Sequence, residues 1–132
     1  HRDIKLENIL LDDKFIPKIN DFGFACKVEN NYKLTESIGT EKYKPPEMDG
    51  TNVYDGLKAD IFCLATPLMI LTVGFPAYMK PINDNKYWKI IEQKLPKGET
   101  LSEEFKNLYN KMISYEPDKR PSINDILADP WF

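Results

Sequence analysis

The stretch from 61 to 73, IFCLATPLMILTV, leaves the chain few options. It is too short to cross a bilayer, which takes about 20 residues, and too apolar to face water. It is expected to be a buried core helix. Hydrophobic residues make up 42% of the 132 residues and charged ones 30%, with both signs interspersed, which suits one folded domain. A net charge of −3 gives no electrostatic footprint for nucleic acid. Cys26 and Cys63 have neither C-x-x-C nor zinc-ligand spacing, and a pair of free thiols is expected.

The remaining pattern is mainly α. Helical periodicity covers roughly 58–73, 84–94, 102–114 and 122–128, and Ser122 with Asp125 resembles a capping arrangement. Near the start, residues 8–11 and 15–19 are short β-favouring runs joined by Asp12-Asp13-Lys14, which predicts a small hairpin. From Lys27 to Lys44 the chain is polar and aperiodic, with Asn30-Asn31 and Gly39. Long loops of this kind inside compact domains are usually functional.

Chemistry-bearing residues flank the predicted hairpin. The chain begins His1-Arg2-Asp3-Ile4-Lys5-Leu6-Glu7-Asn8, or H-R-D-x-K-x-x-N, and Asp21-Phe22-Gly23 follows. Gly39-Thr40-x-x-Tyr43-x-Pro45-Pro46-Glu47, Asp60-Ile61-Phe62-Cys63-Leu64-Ala65, Gly74-Phe75-Pro76-Ala77-Tyr78, Asp118-Lys119-Arg120-Pro121 and Asp129-Pro130-Trp131-Phe132 come after in order. Taken together these motifs resemble the C-terminal lobe of a eukaryotic protein kinase of the serine/threonine type. The resemblance runs over the whole chain. It implies a mainly α lobe with a small β-hairpin near the catalytic loop. It also implies that 1–132 is part of a kinase domain, with the N-terminal lobe, hinge and preceding helices outside it. On that expectation the chain alone lacks kinase activity and exposes an apolar patch where the helices covering 61–73 are missing.

The same resemblance assigns roles. Asp3 accepts or orients the proton of a substrate hydroxyl, and Lys5 neutralises charge on the transferred phosphate. Asn8 and Asp21 hold Mg2+ and, through it, the ATP phosphates. Thr40 ties Asp3 to Lys5, and with Lys5 it points to serine/threonine specificity. Arg2 marks kinases whose activation loop is ordered by a phosphate. The usual acceptor position falls on Glu36, a permanent though weaker negative charge, while neighbouring Thr35 and Ser37 remain alternative acceptors. A simple solvated Glu36 is the competing reading. Glu47, Asp60 and Arg120 are implied to be scaffold, with Glu47 and Arg120 forming a buried ion pair and Asp60 holding the backbone around Arg2-Asp3. His1, the only histidine, is implied to pack on Phe22.

ATP and Mg2+ are the implied cofactors, and a protein with a Ser/Thr acceptor is the implied partner. No nucleic acid or membrane segment is expected, and the location is expected to be intracellular and cytoplasmic. Glu7 with 74–78 and Asn83-Asp84 resembles a calcium/calmodulin-dependent-kinase-like branch. Two readings compete with an active kinase: a pseudokinase-type binding module and a small-molecule phosphotransferase. Pro67 favours the first, because inside a helix it either kinks or unwinds a turn, or is absorbed by compensating packing. The stretch from Thr40 to Glu47 resembles a wall that seats a peptide, which weighs against the second.

Overall fold

The computed structural model describes residues 1–28, 33–75 and 85–132. Asn30, Asn31, Pro76, Ala77, Tyr78, Asn83 and Asp84 lie outside these residues. The described part is mainly helical with one two-stranded antiparallel sheet, the architecture expected of a kinase C-terminal lobe.

Strands β1 (Ile9–Leu11) and β2 (Pro17–Ile19) pair with Ile9 opposite Ile19 and Leu11 opposite Pro17. The connection is longer than the predicted 12–14. The Asp12 carboxylate accepts the N–H groups of Lys14 and Ile16 (2.9 Å each), and Phe15 takes a left-handed φ of 60°, so the turn extends to Ile16. Pro17 has no N–H to donate to the ladder, which confines it to this edge.

Helix α1 spans Gly56–Val73 and starts two residues before the predicted boundary, because Asp55 caps it by accepting from Leu57 and Lys58. It ends at Gly74, whose φ of 78° supplies the left-handed turn. Eighteen residues with a mean hydropathy of 1.6 meet the length and composition of a membrane span. However, Ala59, Phe62, Ala65 and Met69 are buried in the protein core, as the sequence predicts. Pro67 neither unwinds nor interrupts the helix: α1 runs continuously across it, and its ring is fully buried.

Helices α2 (Asn85–Glu92), α3 (Glu103–Met112) and α4 (Ile123–Leu127) follow. Ser102 caps α3, and the expected Ser122–Asp125 capping box is present at α4. The core is built where these helices meet α1: Trp88 of α2 packs edge-on against Tyr109 of α3 (5.8 Å), beside Phe105, Met112 and Ile126. Each such buried side chain stabilises the fold by roughly 1.5–3 kcal/mol. A smaller cluster joins Leu34, Met48, Tyr54 and Ala59.

The apolar surface is not where the sequence reading expected it. On α1 only Leu57 and Leu71 are large, apolar and exposed, and α3 packs against the helix. Instead Leu10, Leu11, Phe15, Ile16 and Ile19 stand exposed on the hairpin, with Phe22 and Phe24 just beyond it. A two-stranded sheet has two faces and no layer packed on it, so its apolar residues cannot be buried by the hairpin alone.

Arg120 closes the lobe. It is 1% exposed and engages both Glu47 carboxylate oxygens, the Nη2–Oε2 distance being 2.8 Å. It also donates to the carbonyls of Ser114 (2.8 Å) and Lys58 (3.0 Å), and its guanidinium lies 4.9 Å from the Phe62 ring centre. Lys58 donates back to the Arg120 carbonyl (2.6 Å). One side chain thus ties the segment around Glu47 to α1 and to the loop after α3. Removing one partner of a buried pair typically costs about 3–5 kcal/mol. Arg120→Ala should therefore lower the thermal unfolding midpoint by several degrees, and an unchanged midpoint would refute that anchoring role.

Candidate active site

The site is built outward from α1. Asp60, in the second turn of the helix, accepts the backbone nitrogens of His1 and Arg2, each at 2.7 Å. This grip holds Arg2 at a left-handed φ of 68°, a conformation costing about 1–3 kcal/mol in a non-glycine residue. Gly39 lies directly against this turn: a Cβ there would sit 2.3 Å from the Arg2 carbonyl oxygen, so no side chain fits.

Asp3 is 5% exposed and sits at the centre of the polar contacts. Its Oδ2 receives Lys5 Nζ at 2.8 Å and Asn8 Nδ2 at 3.3 Å, and its Oδ1 receives the Thr40 N–H at 2.8 Å. Lys5 Nζ also donates to the Thr40 hydroxyl at 2.7 Å. Thr40 therefore links the pair with two different groups, its hydroxyl on Lys5 and its N–H on Asp3. Burial works against the Asp3 charge, but the hydrogen bonds from Lys5 and Thr40 outweigh it and hold the carboxyl below its ordinary range. The Asp3 carboxylate in turn raises the Lys5 ammonium above its usual value. Both are charged at neutral pH.

Asn8 precedes β1 and Asp21 follows β2, so the hairpin brings them to the same end. The ladder continues one step past the strands, with Asn20 N–H donating to the Asn8 carbonyl at 2.8 Å. Asp21 is the next residue, exposed and left-handed at φ 59°, with its Oδ1 accepting the Gly23 N–H at 3.3 Å. The Asn8 amide nitrogen is spent on the Asp3 carbonyl (2.9 Å), so its amide oxygen is the atom it could offer to a cation. One carboxylate and one amide oxygen suit magnesium, a hard cation that keeps several waters. Among the described residues no cluster of three or more His, Cys, Asp or Glu side chains competes as a metal site. His1 packs edge-on against Phe22 at 5.2 Å, and its Nε2 lies 2.9 Å from the Asn20 carbonyl, as expected of a structural residue.

Arg2 faces the other way. It is buried, with Nη1 on Glu36 Oε2 at 2.7 Å and Nε on the Phe24 carbonyl at 2.6 Å. Burial opposes its charge, and the hydrogen bonds it makes to Glu36 and with Tyr54 more than restore it. Ser37 donates to the Met48 carbonyl at 2.7 Å, while Thr35 is exposed. Tyr54, which the sequence reading passed over, joins this group. Its backbone pairs with Leu34 in an isolated antiparallel bridge, and its hydroxyl donates to the Glu36 carbonyl at 3.0 Å. A lone aromatic within the polar run from Asp49 to Asp55 was the one available signal. Cys63 is buried and donates to the Tyr43 carbonyl, and burial pushes its thiol up to about 12, so it is no nucleophile.

Comparison with known proteins identifies the family. The protein kinase domain model matches residues 1–132. The chain is 33% identical over 136 residues to CBL-interacting protein kinase 10 of Oryza sativa subsp. japonica, covering 100% of the chain and 30% of that protein. It is 34% identical over 140 residues to CBL-interacting serine/threonine-protein kinase 14 of Arabidopsis thaliana, with the same coverage. Against the SNF-related serine/threonine-protein kinase of Homo sapiens it is 33% identical over 132 residues, covering 99% of the chain and 17% of that protein. It thus spans between 17% and 30% of the length of these curated relatives. A match over the full chain, and relatives named as protein kinases, two of them as serine/threonine-protein kinases, establish that this chain belongs to the eukaryotic protein kinase family.

Proposed function

We propose that the chain is the C-terminal-lobe portion of a serine/threonine protein kinase, transferring the γ-phosphoryl group of ATP to protein Ser or Thr hydroxyls. The observation that carries this reading is the Asp3–Lys5–Thr40 triangle, an ionised carboxylate and an ammonium 2.8 Å apart and fixed by a third residue from the loop.

Asp3 accepts the hydrogen bond of the incoming hydroxyl and aims its oxygen at the phosphorus. A carboxylate held below its ordinary range is a poor base for an alcohol, so orientation is its larger contribution. Lys5 places a cation beside the transferred group as charge shifts in the transition state. The Thr40 N–H keeps Asp3 from swinging toward the ammonium alone. Asn8 and Asp21 would hold Mg2+, which would supply neutralisation of phosphate charge there. Pro67 is one of the features that favour a pseudokinase-type module, while the presence of Asp3, Asn8 and Asp21 and the continuous α1 support the active reading. With ATP as donor, the reading carries an intracellular, cytoplasmic location.

In the full-length protein, Asp3→Asn should lower kcat for a Ser/Thr peptide by roughly 10²–10⁴-fold with little change in KM for ATP. Activity equal to wild type would remove Asp3 from the reaction. Asp21→Asn should raise the magnesium concentration needed for half-maximal rate, and chelation by EDTA should abolish transfer.

The Asp3 charge also links to stability. Its folded pKa lies below the unfolded value of 3.8, so its contribution is fully present above 3.8 and is lost as pH falls through the lower folded value. A carbon-detected NMR titration should place the Asp3 midpoint below 3.8 in wild type and higher in Lys5→Met. Identical midpoints in the two proteins would rule out Lys5 as a cause.

A further inference from the structure

The charges around the Asp3–Lys5–Thr40 triangle are not all used by the fold. Lys5 is held by Asp3 at 2.8 Å, and Lys44 by Glu41 at 2.9 Å. Two exposed side chains at the rim differ. Among the described residues, neither Glu7 nor Lys42 has an opposite charge within ion-pair distance.

Lys42 is placed by the backbone rather than by a partner charge. It is the middle residue of the 3-10 turn Glu41–Tyr43, which follows Thr40 directly and is closed by the Tyr43 N–H on the Thr40 carbonyl at 2.9 Å. Tyr43 is buried, and its carbonyl accepts the Cys63 thiol of α1, so the turn is anchored to the core. Lys42 Nζ lies 4.8 Å from the centre of the Tyr43 ring. An aromatic face on one side of an ammonium restricts its swing and leaves its outer side for a second partner. Contact with Tyr43 holds this ammonium above its usual value, with Glu7 adding to the effect and Lys5 opposing it. Lys42 is therefore charged at neutral pH and within electrostatic reach of both Glu7 and Lys5.

We propose that Lys42 is a specificity-determining residue, selecting substrates that carry an acidic residue close to the accepted hydroxyl. The proposal rests on the transfer reaction above and names its substrate class. A peptide with its hydroxyl at Asp3 passes Lys42, because Thr40, two residues earlier, already touches Asp3 and Lys5. Glu41 does not cancel the attraction, being engaged by Lys44. Glu7 pulls the other way, so the preference depends on Lys42 itself and not on the summed charge of the rim.

The test uses the full-length protein and synthetic peptides, each with one Ser acceptor, that differ only in carrying Glu, Ala or Lys at each flanking position in turn. Wild type should favour Glu over Ala by about two- to fivefold in kcat/KM at one or two positions, chiefly through KM. Lys42→Arg should keep that preference, Lys42→Ala should abolish it, and Lys42→Glu should reverse it toward Lys. Rates of all three variants on the alanine-flanked peptide should stay within about twofold of wild type. A wild type indifferent to Glu, or a Glu preference that survives in Lys42→Ala, overturns the proposal.

If wild type phosphorylates none of the peptides, the transfer reading fails, and the role of Lys42 is decided by binding. Fluorescence anisotropy then compares the labelled Glu and Lys peptides. Tighter binding of the Glu peptide that is lost in Lys42→Ala supports the proposal, and equal binding of the two peptides by wild type overturns it.

Discussion

The Asp60 carboxylate is the contact on which the site's geometry depends. It projects from a helix turn between two buried residues, Ala59 and Ile61, so its position is set by the core rather than by the surface. From there it holds two consecutive backbone nitrogens and stabilises a left-handed Arg2. The same turn sends Arg2 toward Glu36 and Asp3 toward Lys5 and Thr40. A helix that must be buried for hydrophobic reasons therefore also supplies the rigid base of a polar site.

The polar groups around that base are interdependent. Arg2 and Asp3 are both almost fully buried, and each is made tolerable by a partner from segment 33–40 or from Lys5. Such charges are costly alone and are stabilised only when their hydrogen bonds are completed. Thr40 shows the economy of the arrangement, since one residue satisfies both members of the Asp3–Lys5 pair. Displacing segment 33–40 removes donors from Asp3 and the counter-charge from Arg2 together. Order in the loop and readiness of the site are in this sense one property.

Much of this was legible in the sequence because it rests on local signals. The apolar run at 61–73, the Ser122–Asp125 capping box and the residues flanking the hairpin all act within a few positions, and all appear where they were expected. The ion pairs Arg2–Glu36 and Glu47–Arg120 were reached only through family resemblance, since pairing across 34 or 73 positions leaves no local trace. The bridge from Leu34 to Tyr54 had neither aid, and Tyr54 was missed. For Pro67 the local signal left disruption and compensating packing both open. Its local cost is real, but a fully buried ring within the packed core lets tertiary contacts override a helix-breaking preference.

The two halves of the structure are stabilised by different kinds of force, and that difference locates where control can act. Helices α1 to α3 share an apolar core whose contacts are short-ranged, numerous and insensitive to charge. Segment 33–40 has a small apolar contribution, buried Leu34 with partly buried Ile38 beside it, and among the described residues adds hydrogen bonds and the Arg2–Glu36 ion pair, whose carboxylate is exposed. Its free energy of docking is accordingly small beside that of the core, and a change of one charge or one hydroxyl is a large fraction of it. The polar loop is thus the part of the fold that a small chemical event can move. Its link through Thr40 to Asp3 and Lys5 makes such a movement felt at the pair proposed to act on the substrate.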